Sequence, residues 1–185
     1  MFDPAARPIV CAPDRRLRKA AQTVRVPDPR IDRLVEILFA TMRSARGLGL
    51  AAPQVGRDAR VAVVEVGDSR LVLINPEIVE HHGSQQGWEG CLSVPHLVAN
   101  VERPAEVTVA GIDLGGRAVR YRCAGLVARA VAHEVDHLAG RLYVDLVDPN
   151  ALVDVRDHPT PATINSPAII DSRDSTTSSG KAANR

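Results

Sequence analysis

Aromatic side chains are almost missing from this chain: one Trp, two Tyr and two Phe stand among 185 residues. A core must therefore be built from aliphatic residues, chiefly Val, Leu and Ala. The 45% hydrophobic content supplies enough of them for one globular domain. Charge of either sign is equally without excess, and a formal net charge of +1 gives no sign of a nucleic-acid or anionic-membrane partner. No apolar run approaches the roughly 20 residues that a bilayer-spanning helix needs. The first residues, "MFDPAARPIVCAPDRRLRK", carry an early Asp and prolines in place of a long apolar stretch, so a secretory signal is not expected. Cysteine is scarce. Cys11, Cys91 and Cys123 are an odd number at wide spacings, a poor disulfide framework that points to a reducing compartment, with the cytoplasm as the expected location.

What is present reads as an α+β domain. "PDPRIDRLVEILFATMRSARG" predicts an N-terminal helix, with Asp28 as cap, Pro29 in the first turn and Gly47 as the stop. Its Ile31, Leu34, Val35, Leu38 and Met42 make one apolar stripe. "RVAVVEV" (60–66) and "LVLINPEIV" (71–79) predict a hairpin about Gly67-Asp68-Ser69, and "AEVTVAGIDLGGRAVRYRC" predicts two more strands about Gly115-Gly116. A second helix is expected from about Gly125 to Leu138, stopping near Gly140. Hairpins followed by a helix predict antiparallel or mixed sheets packed around that helix. The expected boundaries are a folded domain over 1–149 and a polar, flexible tail over 150–185, in which Leu152, Val153 and Ile169-Ile170 are the residues able to dock.

The stretch "VAHEVDHLAGRLY" (131–143) places His133, Glu134 and His137 in an H-E-x-x-H pattern. On a helix, residues four apart share a face, so two imidazoles can grip one ion while the glutamate activates water. Leu126, Ala130, His133 and His137 fall on that face, and Val127, Val131, Val135 and Leu138 on the one expected against a sheet. Two histidines bonded within a buried helix are the plainer alternative. A metal site needs a third ligand. The extended peptidase pattern ends at Tyr143 where a histidine is required, and no Glu follows Glu134. Asp145 and Asp148 remain possible downstream. Upstream, "GWEGCLSVP" offers Cys91 in the stronger neighbourhood, while Cys11 and Cys123 are expected to be small buried residues.

With "GLGLAAPQVG" (47–56), "EGCLS" (89–93) and "HEVDH" (133–137) in this order, the first 150 or so residues resemble peptide deformylases. These hydrolases remove the formyl group from the N-terminal methionine of nascent proteins. The resemblance implies Cys91, His133 and His137 as ligands of one divalent metal ion. Iron(II) is typical of the family and oxygen-sensitive beside a thiolate; zinc, nickel or cobalt also suit the set. It implies Glu134 as general base and then acid, with Gln54 and the Leu92 backbone N–H as donors to the developing oxyanion. Leu48, Gly49 and Gly90 would pair with the backbone of the substrate, a nascent formyl-methionyl polypeptide. A transient ribosome contact goes with such a substrate; a membrane or a sequence-specific nucleic acid does not. The alternative for Gly47 and Gly49 is a plain turn from helix to strand.

Some positions depart from the family pattern. "SVPHLVANVERP" has Val98 and Ala99 where an arginine is common and no arginine before Arg103, and Ala132 stands where a glutamine often precedes the first helix histidine. Asp136 is either a carboxylate orienting a ligand or an arginine, or a solvated one. Glu89 and Arg103 are expected to pair and steady the Cys91 loop. Leu126, Val127 and Ala130 are candidates for lining the pocket for the methionine side chain. The competing readings are a non-catalytic homologue that binds peptide N-termini and a metallopeptidase using Asp145 or Asp148.

Overall fold

The computed structural model describes residues 6–157. Helix α1 (Pro29–Ser44) starts as its sequence requires: the Asp28 side chain accepts the Arg30 N–H, and Pro29 occupies the first turn. Its end differs from expectation. The left-handed residue is Arg46, at φ 56°, and Gly47 follows it, donating its N–H to the Met42 carbonyl at 2.8 Å. A non-glycine residue holds the strained position because the two closing hydrogen bonds of the cap secure it.

Five antiparallel strands follow in the order β1-β2-β3-β6-β7: β1 (Gly49–Ala51), β2 (Val61–Val66), β3 (Ser69–His82), β6 (Glu106–Ile112) and β7 (Ala118–Ala124). Both predicted hairpins form, with Val66 opposite Ser69 and Ile112 opposite Ala118. The run Val61-Ala62-Val63-Val64 is wholly buried because both faces of the sheet are covered. Val61 and Val63 pack with Leu34, Leu38 and Met42 of α1. Ala62 and Val64 pack with Val131, Val135 and Leu138 of α2 (Gly125–Leu138). Alternation along one strand thus joins two cores.

A second sheet, β4 (Gln85–Cys91), β5 (Val94–Arg103) and β8 (Val153–Asp154), lies beyond α2. The Gly-punctuated segment before Cys91 is a strand because nearly its whole length pairs with β5, from Gln85 opposite Arg103 to Cys91 opposite Val94. Its own small apolar cluster gathers Val94, Ala99 and Val101 with Leu17, Leu142 and Tyr143. Pairing of Val153 with Val98, and of Asp154 with Leu97, carries the packed region past residue 149, and Leu152 docks on that cluster. Ile169-Ile170 lie outside the described residues. None of the described helices is long and apolar enough to cross a membrane.

Candidate active site

Helix α2 presents two faces to two sheets. One is apolar. The other carries Arg129, His133, Asp136 and His137, all buried, toward β4 and β5. Cys91 ends β4, and a two-residue turn, Leu92-Ser93, begins the return into β5. This turn brings Cys91 Sγ to 3.2 Å from His137 Nε2. The ligand atoms of Cys91, His133 and His137 all lie within 4.8 Å of one another. A tetrahedral ion with bonds of about 2.0–2.3 Å would hold such atoms roughly 3.3–3.6 Å apart, so a small closure of the set suffices. Tyr143, at the last position of the peptidase pattern, is a buried strut donating to the Leu97 carbonyl at 2.7 Å. Asp145 pairs with Arg18 and accepts the Leu142 N–H, and Asp148 accepts the Asn150 N–H. Neither aspartate joins the Cys-His-His group.

The histidines are oriented from behind. His133 Nδ1 lies 3.1 Å from Glu89 Oε2, turning its other nitrogen toward the cluster. Glu89 is held by Arg103 Nε and Nη2, each at 2.9 Å, and by Arg129 Nη1 at 2.8 Å. Arg103 also reaches Asp136 Oδ2 at 2.5 Å, and Arg141 reaches Asp136 Oδ1 at 2.7 Å. The expected Glu89–Arg103 pair is therefore one edge of a buried network, and Asp136 is its further carboxylate, not a solvated one. Arg129 was not anticipated. The available signal was its place one helical turn before His133, opposite Gly87, whose missing side chain makes room for the guanidinium.

These surroundings set the charges. Burial would push the Glu89 carboxyl up, but its bonds from His133 and Arg103 prevail and hold it at about 2. Burial raises the Glu134 carboxyl to about 7, against the pull of His133. For His133, burial opposes the cation, yet Cys91 and Glu89 outweigh it and lift its pKa well above the ordinary value. Burial, reinforced by the charges of His133 and Arg103, keeps His137 well below. Among the described residues, Glu134 Oε2 and His137 Nδ1 are the buried side-chain polar atoms left without a hydrogen-bond partner.

The glycine-rich stretch closes the other side. Its glycines answer to close packing and not only to the turn: a Cβ on Gly49 would sit 2.4 Å from Glu134 Oε1, and one on Gly47 would sit 2.9 Å from Leu92 Cδ1. Gln54, buried in a 3-10 turn (Ala52–Val55), accepts the Ala51 N–H at 2.8 Å and donates to Ser93 Oγ at 3.1 Å. Its amide nitrogen is 3.8 Å from Cys91 Sγ. Leu48, Gly49, Leu126 and Ala130 line a small cleft with His133 and Glu134. Val127 does not line it and packs against the main core instead. Cys123 is buried as expected, whereas Cys11 is exposed, on a surface segment tied down by backbone hydrogen bonds from Val10 to Gln54, from Ala12 to Ser93 and from Asp14 to Cys11 itself.

Thiolate and imidazole donors beside a desolvated, unpartnered carboxylate are the equipment of a metal-dependent hydrolase. The comparisons with known proteins narrow that class. Residues 6–152 match the family described as "Polypeptide deformylase". A peptide deformylase of Thermomicrobium roseum is 48% identical over 153 residues, covering 78% of this chain and 87% of the relative. The crystal structure of a peptide deformylase from Legionella pneumophila superposes with a TM-score of 0.76 at 41% identity, covering 80% of this chain and 89% of that one. One from Synechococcus elongatus, solved in complex with actinonin, gives 0.76 at 38% identity, with 85% and 90% covered. The chain belongs to the polypeptide deformylase family. It is accordingly an enzyme of a metal-dependent family, a hydrolase that removes the formyl group from the N-terminal formyl-methionine of polypeptides.

Proposed function

We propose that Cys91, His133 and His137 hold one divalent ion, iron(II), with zinc, nickel or cobalt as ions the same donors accept. When bound, the ion supplies Lewis acidity toward a carbonyl oxygen and toward water. The observation that carries the reading is Glu134: a buried carboxylate with one oxygen unpartnered among the described residues, beside three potential ligands, on a small cleft that Leu48, Gly49, Leu126 and Ala130 also line. Glu134 takes a proton from the attacking water and returns it to the departing amine, a role served by a carboxyl raised to about 7. The Gln54 amide and the Leu92 N–H stabilise the oxyanion, and the amide adds no competing charge. The products are formate and a peptide with a free N-terminal methionine.

The substrate backbone enters between two sheet edges. The β1 strand ends one sheet and β4 ends the other. An extended peptide pairing with Leu48 and Gly49 on one side and Gly90 on the other is read by its backbone, so many nascent chains are accepted. Leu126 and Ala130 receive the methionine side chain. We assign nascent formyl-methionyl polypeptides as the substrates, met during a transient contact with ribosomes in the cytoplasm; three free cysteines support a reducing location.

Formate release from a short formyl-Met peptide tests this, using protein prepared anaerobically with iron(II), alongside Glu134→Ala. Rapid release that disappears in the variant supports the assigned base. No release from protein holding stoichiometric metal would sink the assignment.

A further inference from the structure

Away from the Cys91, His133 and His137 group, a surface groove of about 770 Å³ runs beside the first turns of α1. Five arginines line it: Arg7, Arg25, Arg30, Arg33 and Arg57. Two aspartates also reach it, and both are engaged: Asp28 with Arg30 at 2.7 Å, and Asp58 with the Gln22 N–H at 3.0 Å. Arg7, Arg25, Arg33 and Arg57 are exposed and make no ion pair with any described residue. Four guanidinium groups unpaired among the described residues, against two aspartates, leave the concavity with a net positive potential that draws an anion.

The charge is segregated along the chain as well. Residues 1–60 hold twelve Arg and Lys against six Asp and Glu, while residues 61–185 hold eleven against sixteen. The overall charge of +1 hides this division. On α1 the arginines are placed by helical spacing: Arg30, Arg33, Leu34 and Ile37 line the groove, whereas Asp32 and Glu36 do not. Guanidinium groups match phosphate oxygens bidentately, which lysine does not do.

We propose that this groove binds the phosphodiester backbone of RNA without reading its bases. The groove floor argues for backbone contact: Ile31, Leu34, Ile37 and Ala59 are buried, and no aromatic residue lines it for base stacking. A membrane surface fits less well, since the exposed large hydrophobics among the described residues are Val79 and Leu146, neither of them in the groove. The groove shares no lining residue with the cleft at Glu134, so the proposal stands apart from the deformylase chemistry.

The test is fluorescence anisotropy of a labelled 15-nucleotide oligouridine with the metal-loaded full chain, titrated across salt concentrations. Four phosphate contacts on a single strand give a slope of log K against log[salt] of about −3. Arg25→Glu/Arg33→Glu is expected to weaken binding at least about tenfold at 100 mM salt, with formyl-peptide turnover unchanged. The milder Arg25→Gln/Arg33→Gln is expected to lower the steepness of the slope by about 1.4. Absence of binding at 50 mM salt, an unchanged slope in the glutamine variant, or capture by phosphatidylglycerol vesicles in place of RNA each overturns the proposal. RNA binding by a protein inactive on formyl peptide would leave it standing and count against the assigned catalytic residues alone.

Discussion

Gly49 shows how one missing methyl group shapes this site. Because its Cβ would fall 2.4 Å from Glu134 Oε1, Gly49→Ala must displace either β1 or the carboxylate. The expected outcome is a fall in kcat of about a hundredfold, the cost of misplacing a catalytic group by roughly 1 Å, with the unfolding midpoint little changed. Steady-state kinetics beside urea unfolding checks it, and full activity would remove Gly49 from the site. Gln54 is under a different constraint. Its amide is aimed by Ser93 Oγ and by the Ala51 N–H. Gln54→Ala is expected to lower kcat about a hundred- to a thousandfold with a small effect on KM, since an oxyanion donor acts in the transition state. A change confined to KM would instead assign Gln54 to ground-state binding.

At the level of elements, α2 is held to the small sheet by charge, not by apolar packing. Arg103 bridges Glu89 on β4 and Asp136 on α2 and is itself about 6% exposed. Arg103→Met should cost about 3 kcal/mol in urea unfolding, because two buried carboxylates lose a partner, and a cost below about 1 kcal/mol would show the bridge to be dispensable. The same network makes the fold acid-sensitive. Glu89 sits at about 2 in the folded protein, below its ordinary value of 4.5. A depressed carboxyl contributes stability that is fully present above the unfolded value and is lost as pH falls through the folded one. Unfolding free energy of the metal-free protein should therefore drop between about pH 4.5 and 2, and the drop should be shallower in Glu89→Gln. Equal acid sensitivity in both proteins would place the loss elsewhere.

For the whole molecule, the metal should couple the layers. Cys91 comes from the small sheet and both histidines from the helix packed on the large one, so a bound ion ties the two together. Removing it with a chelator is expected to lower the thermal midpoint by roughly 5–10 °C, reversibly on adding back the ion, because ligand binding to the native state alone stabilises by mass action. An unchanged midpoint would mean that the site is closed without metal. The charge division between the first 60 residues and the rest acts at this same scale, concentrating positive charge on one groove of a nearly neutral protein.

Both helices, the two Gly-turned hairpins and the motif around His133 were legible in the amino-acid sequence, because helical periodicity, strand alternation and capping residues are local signals. The small sheet was not, since "QQGWEGC" has little strand character and becomes β4 only by pairing with β5. Arg129 was hidden for a related reason: its place one helical turn before His133 is the sole local mark, and its partners lie 28 to 44 residues away. The sequence by itself determined which residue types are available for the chemistry and where chain direction reverses. Tertiary structure alone decided that Cys91 meets His137, that Gly49 yields space to Glu134, and that five arginines from residues 7 to 57 share one groove. Those contacts depend on how whole elements pack: apolar faces buried on either side of the large sheet place α1 and α2, and the buried ion pairs of Arg103 and Arg129 set the small sheet against α2.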